Sequence, residues 1–352
     1  MTQVTSLTAT FKEETSLMPS SASRYQMVAL AVVIAIVPFV AAEYYLSIFN
    51  LIFIAIVGAI GLNILVGSTG QVSIGHGAFM SVGAYTAANL IVRLDAPWWL
   101  AIPAGGVMAA LIGAVVGIPS LRIRGIYLVI STLAAQLIIE WVINHVPAIS
   151  GGTQASINVP RPTVFGMELK TQQQFYFFLA AFVVLAVIAA LNIARTRAGR
   201  AFIAIRDQDI AAEIMGINIA RYKLSAFMIS SFYAGVTGVL YTYYLGIANY
   251  EQFQLGVSID FLAMIIIGGL GSVRGAILGA IFVTVLPMAV REVLESVGSL
   301  FAVSTELVRY IPHMRLTLFG VLIIAFLVVE PDGLNKLWLN ARNRFRKLGP
   351  AR

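Results

Sequence analysis

The feature that most constrains this chain is a series of apolar runs, most of them long enough to cross a lipid bilayer. A bilayer core about 30 Å thick needs roughly 20 apolar helical residues. Inside such a core every backbone N–H and C=O must be paired within the protein, which favours helices. The runs predict helices at 26–42, 45–66, 78–92, 98–118, 126–146, 175–194, 225–247, 259–270, 275–290 and 316–329.

The predicted fold is therefore all-α, a polytopic bundle of about 8–10 transmembrane helices. The runs that begin at 78 and 259 are too short to cross upright and border glycine-rich breaks, which predicts discontinuous helices. We expect a transmembrane domain at 26–335, a flexible tail at 1–25 and a basic tail at 336–352.

Composition supports a membrane protein and excludes several other classes. Apolar residues make up 59% of the chain and charged residues 11%, against about 45–50% and about 25% in soluble domains. The chain contains no cysteine, and its three histidines are far apart in sequence, so no local metal motif is present. The phosphate-binding pattern G-x-x-x-x-G-K-[ST] is also missing.

The basic residues predict the orientation. If the N-terminus is cytoplasmic, all but six of the 23 lysines and arginines lie on the inner side, as the positive-inside rule requires. Both termini are then cytoplasmic, and the net charge of +7 reflects topology and not nucleic-acid binding. Arg24, the apolar run after it and the small residues Ala41 and Ala42 also resemble a signal peptide, so cleavage of the first span stays open.

The spans carry very little charge. Ion-coupled transporters usually hold an ionisable side chain in mid-membrane, and the clearest charge here is Glu140, beside Trp141 near the outer end of its helix. An interfacial anchor is favoured there over a substrate contact. A source of energy outside this chain is therefore expected.

The longest inner loop, 195–223, predicts a short surface helix. Asp207 can cap its N-terminus, and Ile210, Ile214 and Ile217 form one apolar stripe. Gly216 weakens the helix near its end. A helix this short cannot span the bilayer, and the charges around it favour a protein partner over lipid.

Two glycine-rich segments predict breaks between helices. One covers 61–83 and the other 268–279. In a membrane, a broken helix is tolerated where it is buried in protein or lines a cavity. Two interpretations therefore stay open, a break beside a transport pathway and tight helix packing through small residues.

The longest outer loop, 147–174, is polar and proline-rich and could receive a soluble binding protein or be a plain connector.

The inner loop resembles the coupling segment of ABC importer permeases, an E-A-A-like stretch followed by glycine that docks on an ATPase. Ala211, Ala212, Glu213 and Gly216 correspond to that pattern. From Leu51 to Leu334, including the closing V-E-P-D-G-L, the chain is similar to the branched-chain amino-acid (Liv-type) ABC permeases and to their LivM-like subunit.

The resemblance implies a transport subunit that is not itself an enzyme, in a bacterial inner membrane. Its implied partners are a second, homologous permease, two cytoplasmic ATPases that bind ATP and Mg²⁺, and an external binding protein. This chain would bind no cofactor. The expected ATPase-coupling residues are Arg206, Asp207, Ile210, Ala211, Ala212, Glu213, Ile214, Gly216 and Ile217. The expected pathway residues are Gln71, Ser73, Gly75, His76, Gly77, Gly268, Gly269 and Gly271.

Several functions remain as alternatives. Within the resemblance, leucine, isoleucine and valine are the first candidates for the solute, and urea or short amides come next. An ion-coupled transporter is less favoured because the spans show no mid-membrane carboxylate, and an intramembrane enzyme because they show no nucleophile with a base. A channel, which would show passive flux, is the third alternative.

Overall fold

The computed structural model describes residues 36–300, apart from 122, 124, 152–155 and 165, together with 320, 321, 324 and 333–336. The predicted helix at 26–42 lies partly outside the described residues, and residues 36–40 of it are helical. The predicted helix at 316–329, the tail at 1–25 and most of the tail at 336–352 also fall outside them.

Helices form nearly all of the described chain, which confirms the all-α polytopic fold. They are α1 (Glu43–Thr69), α2 (His76–Leu94), α3 (Trp98–Ser120), α4 (Ile126–His145), α5 (Pro147–Ser150), α6 (Gln172–Arg195), α7 (Arg197–Asp207), α8 (Asp209–Ile214), α9 (Ile219–Leu245), α10 (Leu255–Gly268) and α11 (Val273–Leu300). A 3₁₀ turn, Tyr250–Phe253, precedes α10.

Within the described chain, six helical stretches are long and apolar enough to cross a membrane. They are α1, α3, α4, α6, α9 and the 3₁₀ turn taken together with α10. The first part of α11 adds a shorter apolar helix. Helix α2 has 19 residues and does not belong to the six. The run that begins at 259 does lie within one of them, Tyr250–Gly268, so the expectation that it is too short to cross upright is wrong.

The centre of the bundle is formed by α1 and α9. In the most apolar stretch of each helix, 83% of α1 and 61% of α9 is buried, compared with 22% of α4 and 17% of α6. Within the described chain, α4 and α6 therefore lie at the outside of the bundle. Glycine lets the two central backbones approach, because a Cβ added at Gly61 would lie 2.2 Å from Cβ of Tyr233.

Further glycines bring α2 and α3 against α9. A Cβ added at Gly83 would lie 2.2 Å from the carbonyl oxygen of Gly235, and one added at Gly238 would lie 1.9 Å from that of Met80. Neither position has room for a side chain. In this part of the first glycine-rich segment, the glycines therefore serve helix packing.

Two small antiparallel strand pairs, which no sequence pattern had predicted, order the loop at 147–174. Strand β1 (Ser156–Asn158) pairs with β4 (Ile247–Asn249), and β2 (Thr163–Val164) pairs with β3 (Met167–Glu168). The β1–β4 pair ties this loop to the end of α9. The four strands define what we call the loop side of the bundle.

The opposite end of the bundle carries α7 and α8, and we call it the α7–α8 side. Helix α1 ends there and α9 begins there. The two helices run antiparallel, since Gly58 contacts Thr237 whereas Gly61 contacts Tyr233. Helix α10 also ends at this side, where Gly271 after it packs against Gly67 of α1.

Candidate functional site

Helix α2 begins deep inside the bundle. Helix α1 ends at Gly70, which has a positive φ of 71°. The chain then turns back, and the imidazole of His76 donates a hydrogen bond to the carbonyl of Gly58. Gly58 lies about 16 Å before the end of α1 along its axis. The non-helical residues 70–75 therefore lead the chain from the α7–α8 side back towards the middle of the bundle.

Side chains from α4 and α10 satisfy the backbone donors at this buried helix start. The N–H of Gly77 donates to Oγ of Ser258 at 2.7 Å, and the N–H of Ala78 donates to Oε1 of Gln136 at 2.7 Å. The Gln136 amide also donates to the carbonyl of Phe253 at 2.9 Å. A helix N-terminus inside a membrane needs such partners because no water is available there.

The first five predicted pathway residues belong to this return segment and to the start of α2. Gln71 donates to Oγ1 of Thr69 and to the carbonyl of Lys223, Oγ of Ser73 accepts from the N–H of Gly75, and the His76 ring packs on Phe261 with centroids 4.9 Å apart. Gln71, Ser73, Gly75, His76 and Gly77 are all buried. These contacts bury the segment in protein, and the role of the five residues in a pathway stays a prediction.

The second break, which is the connection 269–272 between α10 and α11, lies beside the end of α1. Asn63 accepts a hydrogen bond from the N–H of Gly271 at 2.9 Å and donates to the carbonyl of Ser272 at 3.0 Å. Gly269 and Gly271 have positive φ values of 109° and 81°. Gly268 packs on the next helix, since an added Cβ would lie 2.0 Å from the carbonyl oxygen of Gly275. The structure thus joins both breaks through α1.

The surface helix in the loop at 195–223 differs from the predicted one. The loop contains two helices, α7 and α8, and Asp207 is the last residue of α7. The prediction that Asp207 caps α8 is therefore wrong, because Gln208 occupies the N-cap position and makes no side-chain cap hydrogen bond. Arg206 and Asp207 instead form an ion pair at 3.1 Å.

The end of α8 has the geometry that glycine favours. The N–H of Ile217 donates to the carbonyl of Ala212, and the N–H of Gly216 donates to that of Glu213. Gly216 has a positive φ of 83°. These two bonds form a Schellman motif, in which glycine takes the left-handed position after the helix.

Helix α8 presents apolar side chains outward. Ile214 is 82% exposed and Ile210 66% exposed, and Met215 is exposed beside them. Ala211 and Glu213 are also exposed, whereas Ala212 is buried against the bundle and Ile217 is half-buried. The predicted single stripe is thus divided, with two isoleucines facing outward and the third turned partly inward.

Arg206 connects this surface to the breaks. Its guanidinium donates to the carbonyl of Gly67 at 2.9 Å, and it lies against Gly271. A polar cavity of about 390 Å³ separates α8 from the start of the first break. Its walls include Gln71, Arg206, Asp207 and Ile210, all of which the sequence analysis selected.

A second cavity, of about 600 Å³, lies among α1, α9, α10 and α11. Asp260 lines it, about 12 Å from the end of α10 at Gly268, and Thr284 lines it about 16 Å from the start of α11. Asp260 lies near the middle of the stretch Tyr250–Gly268, which is long and apolar enough to cross a membrane. The prediction that the spans lack a mid-membrane carboxylate is therefore wrong.

The sequence contained a signal for the residues that were missed. Asp260 is a lone carboxylate in the apolar run 259–270, and Asn63 and Gln136 are amides within long apolar runs. Polar side chains in such runs usually face the protein interior and mark functional or structural contacts. Among the described residues, no group of three or more His, Cys, Asp or Glu side chains could hold a metal ion.

Comparisons with known proteins agree with this architecture. The family model described as branched-chain amino acid transport system / permease component matches residues 44–327. No solved structure matches the chain.

Three curated relatives cover most of the chain. The high-affinity branched-chain amino acid transport system permease protein LivM of Escherichia coli K12 is 31% identical over 331 residues, which is 88% of this chain and 74% of the relative. LivM of Salmonella typhimurium is 30% identical over 331 residues, which is again 88% of this chain and 74% of the relative. The LivH permease protein of Salmonella typhimurium is 26% identical over 78% of this chain and 89% of its own.

Proposed function

Since this chain belongs to the family of branched-chain amino acid transport system permease components, we propose that it is the membrane-spanning subunit of an ATP-driven importer for branched-chain amino acids. The substrate assignment rests on the names of the relatives, which are permease proteins of branched-chain amino acid transport systems. Urea and short amides are the alternative solutes within the same architecture.

The complete importer contains more than this chain. LivM and LivH are both named as permease proteins of a high-affinity branched-chain amino acid transport system, which supports a second, homologous permease beside this one. Two ATPase subunits supply the energy and hold ATP and Mg²⁺. An external binding protein delivers the solute to the loop side, where β1 and β4 order the longest loop.

The observation that carries the proposal is the exposed apolar surface of α8. Isolated large apolar side chains at a polar protein surface are unremarkable, but Ile210, Ile214 and Met215 are adjacent on one short helix. Such a helix suits a groove on a protein partner. We place the ATPase on this surface and therefore place the α7–α8 side, together with both termini, in the cytoplasm.

Arg206 gives this surface a route to the membrane-embedded helices. A displacement of α8 also moves α7. The Arg206 guanidinium of α7 contacts Gly67 of α1 and Gly271 at the second break, so the displacement is transmitted to both. Gly271 lies in the non-helical connection between α10 and α11, which can change conformation without breaking a long helix, and Gly67 lies two residues before the end of α1. ATP binding thus drives alternating access by moving α7 and α8 against the two breaks.

The docking surface is tested by the variant Ile214→Glu. A carboxylate in an apolar groove loses most of its hydration, so this variant should fail to copurify the ATPases while its level in the membrane stays normal. Arg200→Gln is the control, because Arg200 is exposed and the hydrogen bond described for its side chain goes to the carbonyl of Arg195 in the same loop. Retention of the ATPases by Ile214→Glu would place the docking surface elsewhere.

The shape of the α8 end is tested at Gly216, where an added side chain meets no atom within 4 Å. Gly216→Val strains the positive φ, whereas asparagine tolerates this conformation. Gly216→Val should therefore reduce ATP-driven uptake and Gly216→Asn should largely preserve it. Equal effects of the two substitutions would contradict a backbone role for Gly216.

The energy source is tested by reconstitution. In vesicles, this chain without its ATPases should accumulate no leucine under a proton or sodium gradient. The complete complex should accumulate leucine when ATP is supplied. Steady accumulation by the isolated chain under an ion gradient would refute the proposed function.

A further inference from the structure

The cavity beside α10 combines one carboxylate with neutral polar groups and apolar walls. Asp260 and Val257 lie three residues apart on α10 and share one face of that helix. Gln252 and Thr284 add an amide and a hydroxyl, and Leu51 and Ile54 add an apolar wall from α1. The volume of about 600 Å³ is within the range of about 300–1,000 Å³ that is typical of small-molecule sites.

Two polar atoms of this cavity make no hydrogen bond within the described chain. Within the described residues, Oε1 of Gln252 and Oγ1 of Thr284 are buried without a hydrogen-bond partner. The described ion pairs join Lys170 to Glu168 and Arg206 to Asp207, and neither involves Asp260. Polar groups at this depth are costly to leave unpaired, so a ligand that pairs with them gains affinity.

We propose that this cavity is a transient binding site for the transported amino acid, in which the Asp260 carboxylate holds the α-ammonium group. The hydroxyl of Thr284 donates a hydrogen bond to the substrate carboxylate, and Oε1 of Gln252 accepts one from the ammonium group. The branched side chain packs on the apolar wall formed by Leu51 and Ile54. This assignment rests on the proposed function and adds to it the residue that recognises the charge of the substrate.

The position of the cavity suits such a role. Asp260 and Thr284 lie on α10 and α11, the two helices joined by the second break. The connection at Gly271 contacts Arg206, which belongs to α7. Motion that begins at α8 therefore reaches the loop between the two helices that carry the proposed ligands. Substrate binding and ATPase motion would act on the same pair of helices.

The first experiment measures ATP-driven uptake of radiolabelled L-leucine by the complete complex in proteoliposomes. Asp260→Asn keeps the size of the side chain and removes its charge. We expect the maximal rate to fall at least about tenfold, since the charged contact to the ammonium is lost. Asp260→Glu should recover part of the rate. Asp95→Asn is the control, because Asp95 is exposed at the loop side and its positive φ also suits asparagine.

The second experiment tests the charge of the cavity directly, without relying on transport. The chain has no cysteine, so Val257→Cys provides a single reactive thiol beside Asp260. A cationic methanethiosulfonate reagent should label this thiol faster than an anionic one of similar size. Addition of Asp260→Asn should lower the ratio of the two rates at least about tenfold, because a neighbouring unit charge attracts one reagent and repels the other.

The outcomes separate the two proposals. If the wild-type complex shows ATP-driven uptake but Asp260→Asn equals it in rate, the substrate site is refuted while the proposed function stands. An unchanged labelling ratio also refutes the site, because Asp260 would then not face the cavity. If the wild-type complex shows no ATP-driven uptake, the proposed function fails and the site fails with it.

Discussion

The bidentate contact of Asn63 gives the sharpest quantitative prediction. Asn63→Leu replaces an amide by an apolar side chain of similar size and removes the hydrogen bonds to Gly271 and Ser272. Asn63 is only 3% exposed, so water cannot easily replace either bond. The N–H of Gly271 and the carbonyl of Ser272 would lose these contacts to α1.

The size of the effect follows from those two bonds. A buried donor or acceptor left without its partner costs about 1–3 kcal/mol, but hydrogen bonds within membrane proteins average only about 0.6 kcal/mol and reach about 1.7. Leucine is also the better helix former by roughly 0.5 kcal/mol. We therefore expect Asn63→Leu to lower the free energy of unfolding by about 2 kcal/mol, which is about a thirtyfold change in the equilibrium constant.

The measurement is equilibrium unfolding in detergent, combined with hydrogen exchange at the amide of Gly271. Asn50→Leu is the matched control, because Asn50 is also fully buried on α1 but donates to Gln172 at the other end of the helix. Both variants should be less stable. Only Asn63→Leu should accelerate exchange at Gly271, and unchanged exchange there would refute the role of Asn63 in fixing the second break.

Three further substitutions have defined outcomes. Gln136→Leu removes the amide that holds the buried start of α2, and it should lower stability by about 2 kcal/mol in detergent unfolding. Gly238→Ala forces a methyl group against the carbonyl oxygen of Met80 and should cost about 1–3 kcal/mol by the same measurement. Its control, Gly256→Ala, places the methyl group in open space and should change stability little. Thr171→Ala removes a helix cap at the start of α6 and should lower stability by about 1 kcal/mol without reducing uptake.

The long helices could be predicted from sequence because lipid demands a minimum apolar length. The helix predicted at 45–66 is observed at Glu43–Thr69, and the one predicted at 126–146 is observed at Ile126–His145. The break after α1 was also predictable, since glycine density there is high. The depth of α2 was not, because it depends on a contact between His76 and Gly58 that no local pattern encodes.

The candidate site was less predictable, since it is built from contacts between distant segments. Arg206 and Gly67 are 139 residues apart in sequence, and Asn63 and Gly271 are 208 apart. The division of the inner loop at Gln208 was missed because Asp207 suits either the end of one helix or the cap of another. Asp260 was overlooked, although a lone carboxylate in an apolar run is a readable signal.

The buried start of α2 has a consequence for how the chain is made. The N–H groups of Gly77 and Ala78 find their acceptors 181 and 58 residues later in the sequence. At a synthesis rate of about 5–20 residues per second, Ser258 leaves the ribosome about 10–40 s after Gly77. Gln136 is made first and can pair with Ala78, but the N–H of Gly77 lacks its acceptor for the whole interval. The nascent chain must therefore shelter this donor at the membrane surface or in the insertion machinery until α10 arrives.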